Sequence, residues 1–212
     1  MIKRRSVLAG LAAGSLTLPF ASIVRADCLV TGAQPEGPFY PIISAGEQDN
    51  DLTRVAGRTT RAAGEIIRIS GHVLDDSCNP IPGSSLEIWQ ANSAGRYFHP
   101  QDTSESRPLD PNFQGYARIQ TDSSGRYSFV SIRPGSYKVT KRWVRPPHIH
   151  FRVTGPEGRS LTTQMYFSDQ ALNETDYLLG QLNTVQKEGV TVHLNNDPVD
   201  GVKSGIFDIT MA

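Results

Sequence analysis

From Glu65 onward, apolar and polar residues alternate over short runs separated by turn residues. The runs fall at 66–73, 85–90, 117–121, 127–132, 136–140, 148–153 and 161–167, and the breaks carry Asp-Asp-Ser, Asn-Pro, Ser-Ser-Gly and Pro-Gly. A period of two puts successive side chains on opposite faces of a strand. Many short strands between such turns predict an all-β chain folded as an antiparallel β-sandwich. Further strands are expected at 191–194 and 205–210, and a short helix between 169 and 182 with Ser168 as its N-cap.

Residues 27–64 have no such period and are rich in Gly, Pro, Asp and Thr, so they read as an irregular N-terminal arm over the surface of a single domain at 65–212. There is no internal repeat or low-complexity tract. Residues 1–26 read as an export signal: Lys3-Arg4-Arg5, an apolar run broken by Gly and Pro19, then Val24-Arg25-Ala26 as a cleavage site. The arginine pair before a mildly apolar core favours a twin-arginine leader and a periplasmic destination. An ordinary secretory leader or an uncleaved anchor is the alternative.

Composition narrows the function. At 212 residues and 38% hydrophobic the chain can bury a proper core, and beyond the leader it has no stretch long enough to span a membrane. Removing the leader takes away Lys3, Arg4, Arg5 and Arg25 and no acidic residue, so a formally neutral chain becomes mildly acidic. Nucleic-acid binding rests on Lys and Arg neutralising phosphates, so DNA and RNA are poor partners. Cys28 and Cys78 are an even pair, which in an oxidising periplasm reads as a disulfide tying the arm to the domain; two unpaired thiols are the alternative.

The candidate chemistry lies in Arg145-Pro146-Pro147-His148-Ile149-His150-Phe151. On a strand His148 and His150 share one face, while Ile149, Phe151 and Val153 share the other. The two prolines stiffen the entry to that strand. A surface strand can also carry two solvated histidines, so the pair alone is a weak signal. Upstream, Tyr97 and Tyr137 each sit in a glycine-bearing turn, and together with the histidines they could make a four-ligand metal site. The same order of turn, strand, Pro-Gly and strand also occurs in purely structural sandwiches, so an exported binding module without turnover is the serious rival. A zinc hydrolase built on the histidine pair is a third, weaker reading.

Several blocks in order make the pattern specific. They are Glu36-Gly37-Pro38-Phe39-Tyr40-Pro41, Trp89-Gln90-Ala91-Asn92-Ser93-Ala94-Gly95-Arg96-Tyr97, Leu109-Asp110-Pro111-Asn112-Phe113, Pro134-Gly135-Ser136-Tyr137, the Arg145–Phe151 stretch, and Thr163-Gln164-Met165-Tyr166-Phe167. In this the chain resembles the intradiol ring-cleavage dioxygenases, and within them the iron-bearing β chain of the protocatechuate-cleaving branch. The resemblance implies that Tyr97, Tyr137, His148 and His150 hold Fe(III), and that Arg145 and Gln164 line the substrate side. It also implies that Tyr137 is the ligand released as a base when an aromatic diol binds, and that Arg145 stabilises developing negative charge. O2 then cleaves the ring between the hydroxyls to give a cis,cis-muconate. Phenol and imidazole donors without thiolate suit a hard, high-valent ion better than zinc.

The interval from Tyr137 to His148 departs from the family pattern and lacks its Pro-Trp. Residues 27–64 do not supply the helical dimerisation segment of the catechol- and hydroxyquinol-cleaving branches, so the resemblance implies a protocatechuate-like diol. In the altered loop, Lys141 and Arg142 could meet a substrate carboxylate or be a solvated basic turn. A homo-oligomer or a hetero-oligomer with a related chain is implied in the same way. His72, His99 and His193 have no partner at useful spacing, Trp89 reads as core, and Trp143 reads as pocket wall.

Overall fold

The computed structural model describes residues 28–42 and 49–212. The leader and its cleavage site lie outside the described residues. Alternation in the sequence becomes alternation in burial: in β1 (Ile66–Asp75), Ile67, Ile69 and Val73 have no solvent exposure and Gly71 is buried, while Arg68, Ser70 and His72 are partly exposed.

Two five-stranded sheets pack face to face. In the first, β1 pairs antiparallel with β4 (Arg126–Ile132) on one side. On its other side it pairs in parallel with β11 (Lys203–Ile206) and then β12 (Ile209–Met211), and β10 (Asn195–Asn196) lies beyond β11. The second sheet runs in the order β3 (Tyr116–Gln120), β2 (Ser85–Trp89), β7 (His148–Thr154), β8 (Ser160–Phe167), β9 (Thr191–Val192). Between the sheets Phe151 meets Phe129 at 6.0 Å and Phe207 at 5.0 Å, ring centre to ring centre. Ile88, Ile149 and Val153 complete the same core.

The sandwich is as expected, but its sheets are mixed: β1 with β11 and β12, and β8 with β9, run parallel. The chain steps from β11 to β12 across Gly71, where the Phe207 N–H donates to the Ser70 carbonyl at 2.8 Å. A Cβ on Gly71 would lie 1.9 Å from the Phe207 carbonyl oxygen, so only glycine admits this crossing. The strand expected at 136–140 forms as β5 (Tyr137–Thr140), but it pairs with β6 (Trp143–Arg145), which the sequence pattern did not predict, in a two-stranded ribbon apart from both sheets.

The helix expected at 169–182 is broken. A 3-10 turn spans Ala171–Thr175, α1 is one turn at Tyr177–Gly180, and α2 follows at Thr184–Val190. Ser168 is not a cap; its hydroxyl bonds His193 Nδ1 at 3.1 Å. The caps are Asp176, which accepts from the Leu179 N–H, and Asn183, which forms a reciprocal capping box with Gln186. Each new cap starts a separate helical turn.

The arm is pinned along its described length. Cys28 is bonded to Cys78, with Cα atoms 5.1 Å apart. The Thr31 N–H donates to the Thr210 carbonyl and the Gln34 N–H to the Thr162 carbonyl, while Glu36 pairs with Arg152. Cys28 and Cys78 are 50 residues apart, and closing a loop of that length stabilises the folded state by about 3–4 kcal/mol in the chain-entropy account. The double variant Cys28→Ser/Cys78→Ser is expected to lose about that much in urea unfolding. An unchanged midpoint would assign the arm's anchoring to its hydrogen bonds alone.

Candidate metal centre

On β7, Ile149, Phe151 and Val153 face the core, and His148 and His150 face the opposite side. Cross-strand register fixes their neighbours: His150 lies between Trp89 on β2 and Gln164 on β8, and His148 lies opposite Tyr166. The Trp89 indole stacks on the His150 ring at 4.8 Å and 9°. Trp89 thus belongs to a second buried cluster with Tyr97, Tyr116 and Tyr137, packed by Phe39 and Tyr40 of the arm.

The tyrosines arrive on two turns that touch backbone to backbone. The Asn92 carbonyl accepts from the N–H groups of both Gly95 and Gly135, each at 2.9 Å. The Asn92 side chain accepts from the Ala94 and Arg96 N–H groups. A Cβ on Gly95, whose φ is 76°, would lie 2.3 Å from the Ser136 carbonyl oxygen, and one on Gly135 would lie 2.4 Å from that of Ser93. Tyr97 is further held by its N–H, which donates to buried Asp102 at 2.9 Å, and by Phe39 stacked on its ring at 4.8 Å. Asp102 is in turn paired with Arg107.

These turns bring the four predicted donors together. The Tyr97 hydroxyl lies 3.3 Å from His148 Nε2 and 3.2 Å from His150 Nε2. The Tyr137 ring is 5.6 Å from both the Tyr97 and His148 rings. Burial pushes both phenols up, most strongly at Tyr97, and the Arg145 charge works against that rise at both. Burial, reinforced by the Arg145 charge, holds both imidazoles far below the ordinary histidine range, so they are neutral.

Proton counting tests whether this set suits a cation. The Pro146 carbonyl can only accept, so His148 Nδ1, 2.6 Å away, carries the ring proton and Nε2 presents its lone pair. The Tyr97 hydroxyl has one proton to share between two imidazoles. His150 Nδ1 is buried without a partner. Either tautomer of His150 therefore leaves a ring nitrogen unsatisfied. A hard, highly charged ion accepts the converging lone pairs together and favours ionised phenols, so the donor set fits one. Among the described residues, no group of three or more His, Cys, Asp or Glu side chains could hold a metal. Any ion here would draw on the phenols.

Arg145 and Gln164, expected on the substrate side, lie beside this set and bond each other, Nη2 to Oε1, at 2.7 Å. Gln164 Nε2 donates to the Pro35 carbonyl, and Tyr166 receives both Gln34 and Arg145, so the arm closes one wall. Lys141 and Arg142 lie exposed in the turn between β5 and β6. His72 pairs with Asp208 and His193 with Ser168, while His99 Nδ1 accepts from the Gln101 N–H. The sequence pattern gave no role to Asp176, on which Trp143 Nε1 and Arg145 both converge, or to Phe39. Phe39 lies within the block Glu36-Gly37-Pro38-Phe39-Tyr40-Pro41, and Asp176 carries only the signal of a helix cap.

A dioxygenase family model matches residues 35–209 of the chain. Over 139 residues the chain is 44% identical to the protocatechuate 3,4-dioxygenase beta chain of Burkholderia cepacia, covering 64% of this chain and 58% of that one. A putative dioxygenase of Rickettsia conorii is 30% identical over 171 residues, covering 78% of this chain and 74% of that one. Among solved structures, catechol 1,2-dioxygenase from Acinetobacter sp. ADP1 aligns with a TM-score of 0.63 and 25% identity, covering 85% of this chain and 62% of that one. The chain belongs to the intradiol ring-cleaving dioxygenase family. It spans a little over half the length of the Burkholderia β chain.

Proposed function

We propose that the protein is a non-haem Fe(III) intradiol dioxygenase that cleaves a protocatechuate-like aromatic diol with O2 to a cis,cis-muconate. The observation that carries this reading is the meeting of both imidazole Nε2 atoms at the Tyr97 hydroxyl, 3.2 and 3.3 Å away, with Tyr137 beside them. Bound ferric iron would supply the Lewis acidity and electron exchange that let a chelated diol react with O2. Tyr97, Tyr137, His148 and His150 would hold it. The carbon–carbon bond between the hydroxyls breaks, and both atoms of O2 enter the product, giving two carboxyl carbons without any external reductant.

The chain's own groups do the rest. Tyr137 begins a short ribbon whose next three residues are exposed, so its phenol is the donor freer to move and to take a proton from the incoming diol at Oη. Arg145 offers a fixed cation to negative charge developing on the substrate. Gln164, bonded to Arg145 and to the Pro35 carbonyl, keeps that cation in place. Phe39 and Trp89 cover Tyr97 and His150 and exclude water from them. Lys141 and Arg142 are proposed to meet the substrate carboxylate. Export to the periplasm is supported by the Cys28–Cys78 bridge, which belongs to an oxidising compartment. A homo-oligomer, or pairing with a related chain, is proposed for the assembly. A binding module without turnover is disfavoured by the buried, proton-deficient donor set.

Purified protein is expected to be red-brown from tyrosinate-to-iron charge transfer and to take up O2 with aromatic diols. A colourless preparation that stays inactive after ferric loading would sink the proposal. Preference for uncharged catechol over protocatechuate in an O2-uptake panel would overturn the substrate choice alone. Tyr137→Phe is expected to keep iron and lower turnover by about a hundredfold, the scale of a lost general base. Unchanged turnover and unchanged substrate-bound spectra would remove Tyr137 from its role.

A further inference from the structure

Asp176 is a carboxylate without solvent exposure whose acceptor positions are all taken. Oδ1 accepts from Arg145 Nε at 3.0 Å and Trp143 Nε1 at 2.9 Å. Oδ2 accepts from Arg145 Nη2 at 3.2 Å and the Leu179 N–H at 3.2 Å. A carboxylate has about four such positions. Capping α1 uses only the Leu179 bond, and Ser, Thr or Asn would serve for that. The other three donors come from β6, so the cap alone does not explain this residue.

The grip on Arg145 is two-pronged. Nε and Nη2 of one guanidinium edge meet the two oxygens of one carboxylate, which fixes the plane of the group as well as its position. Nη2 also reaches Gln164 and Tyr166 on β8. Arg145 is the cross-strand partner of Tyr137 in the β5–β6 ribbon. Whatever sets the Arg145 plane therefore sets the cation's placement beside Tyr137.

We infer that Asp176 is a positioning residue for ring cleavage, holding the Arg145 guanidinium in the orientation that meets charge developing on the substrate. This rests on the diol-dioxygenase reading of the site. Asparagine at 176 has the same shape but only one acceptor oxygen. Whichever way it turns, its NH2 faces two N–H donors, and the guanidinium must shift.

The test is a double-mutant cycle. Asp176→Asn is expected to lower kcat about tenfold to a hundredfold, the cost of a misplaced group. KM, anaerobic diol affinity and iron content should stay within about threefold of the parent, as a positioning role requires. In an Arg145→Gln background the same substitution should cost less than about twofold, because the group it positions is gone. Equal losses in both backgrounds, or a parent-like kcat in Asp176→Asn, would overturn the inference. If Asp176→Asn does not accumulate folded, Asp176→Glu replaces it in the cycle, since it keeps the charge and moves both oxygens by one methylene. A parent that consumes no O2 with any diol sinks the dioxygenase reading and this inference with it. An active parent with an additive cycle sinks the inference alone.

Discussion

Phenylalanine at position 97 should leave the protein colourless, nearly free of iron and at least about a hundredfold slower in O2 uptake. Removing a partner that merely orients a metal ligand already costs about tenfold to a hundredfold in affinity or activity, and Tyr97 is a proposed ligand. Its hydroxyl is the atom at which His148 and His150 meet. Without it the two imidazole nitrogens have no oxygen between them, and one of the two phenolates that would balance a trivalent charge is gone. The fold should survive. The ring keeps Phe39 at 4.8 Å and the backbone N–H keeps Asp102, neither of which involves the hydroxyl. Iron per chain, the visible absorption band and a urea midpoint measured on one preparation separate lost metal from lost structure. Normal iron and colour in Tyr97→Phe would remove Tyr97 from the metal set.

That His148 and His150 lie side by side was legible in the sequence because their spacing carries the physics, whereas Tyr97 and Tyr137 were marked only by the motif blocks around them. Two histidines two residues apart on a strand must share a face, and a stiff Pro-Pro entry marks which strand it is. Asp176 was not legible, because its burial and its grip on Arg145, 31 residues away, depend on how the 3-10 turn folds back over β6. The broken helix has a local cause that a longer periodic reading overrides: Asn183 and Gln186 are an ordinary capping box, one residue past the expected end. The ribbon strand β6 has only three residues, too few for alternation to register. The parallel pairing of β1 with β11 and β12 joins residues more than 130 apart in sequence, such as Ile67 with Lys203. No local pattern encodes such a pairing; its one local trace is Gly71, an interior strand glycine at the crossing point, of the kind that marks a close backbone approach.

Alanine at position 135 should be among the most damaging changes outside the donors themselves. Its Cβ would stand 2.4 Å from the Ser93 carbonyl oxygen and 2.5 Å from the Gly95 nitrogen, both backbone atoms of the turn that carries Tyr97. Backbone cannot rotate out of the way as a side chain can. The two tyrosine turns must then part, breaking the bond from the Gly135 N–H to the Asn92 carbonyl. Overpacking of this kind costs about 3 kcal/mol or more when no side chain can yield. Because the same movement displaces the turn that carries Tyr97, iron content should fall alongside the urea midpoint. Gly180→Ala is the matched control: a Cβ there meets nothing within 4 Å, and alanine in a helix is neutral to favourable by up to about 1 kcal/mol. If Gly135→Ala bound iron normally and unfolded at the parent's midpoint, contact between the two turns would not be what brings the phenols together.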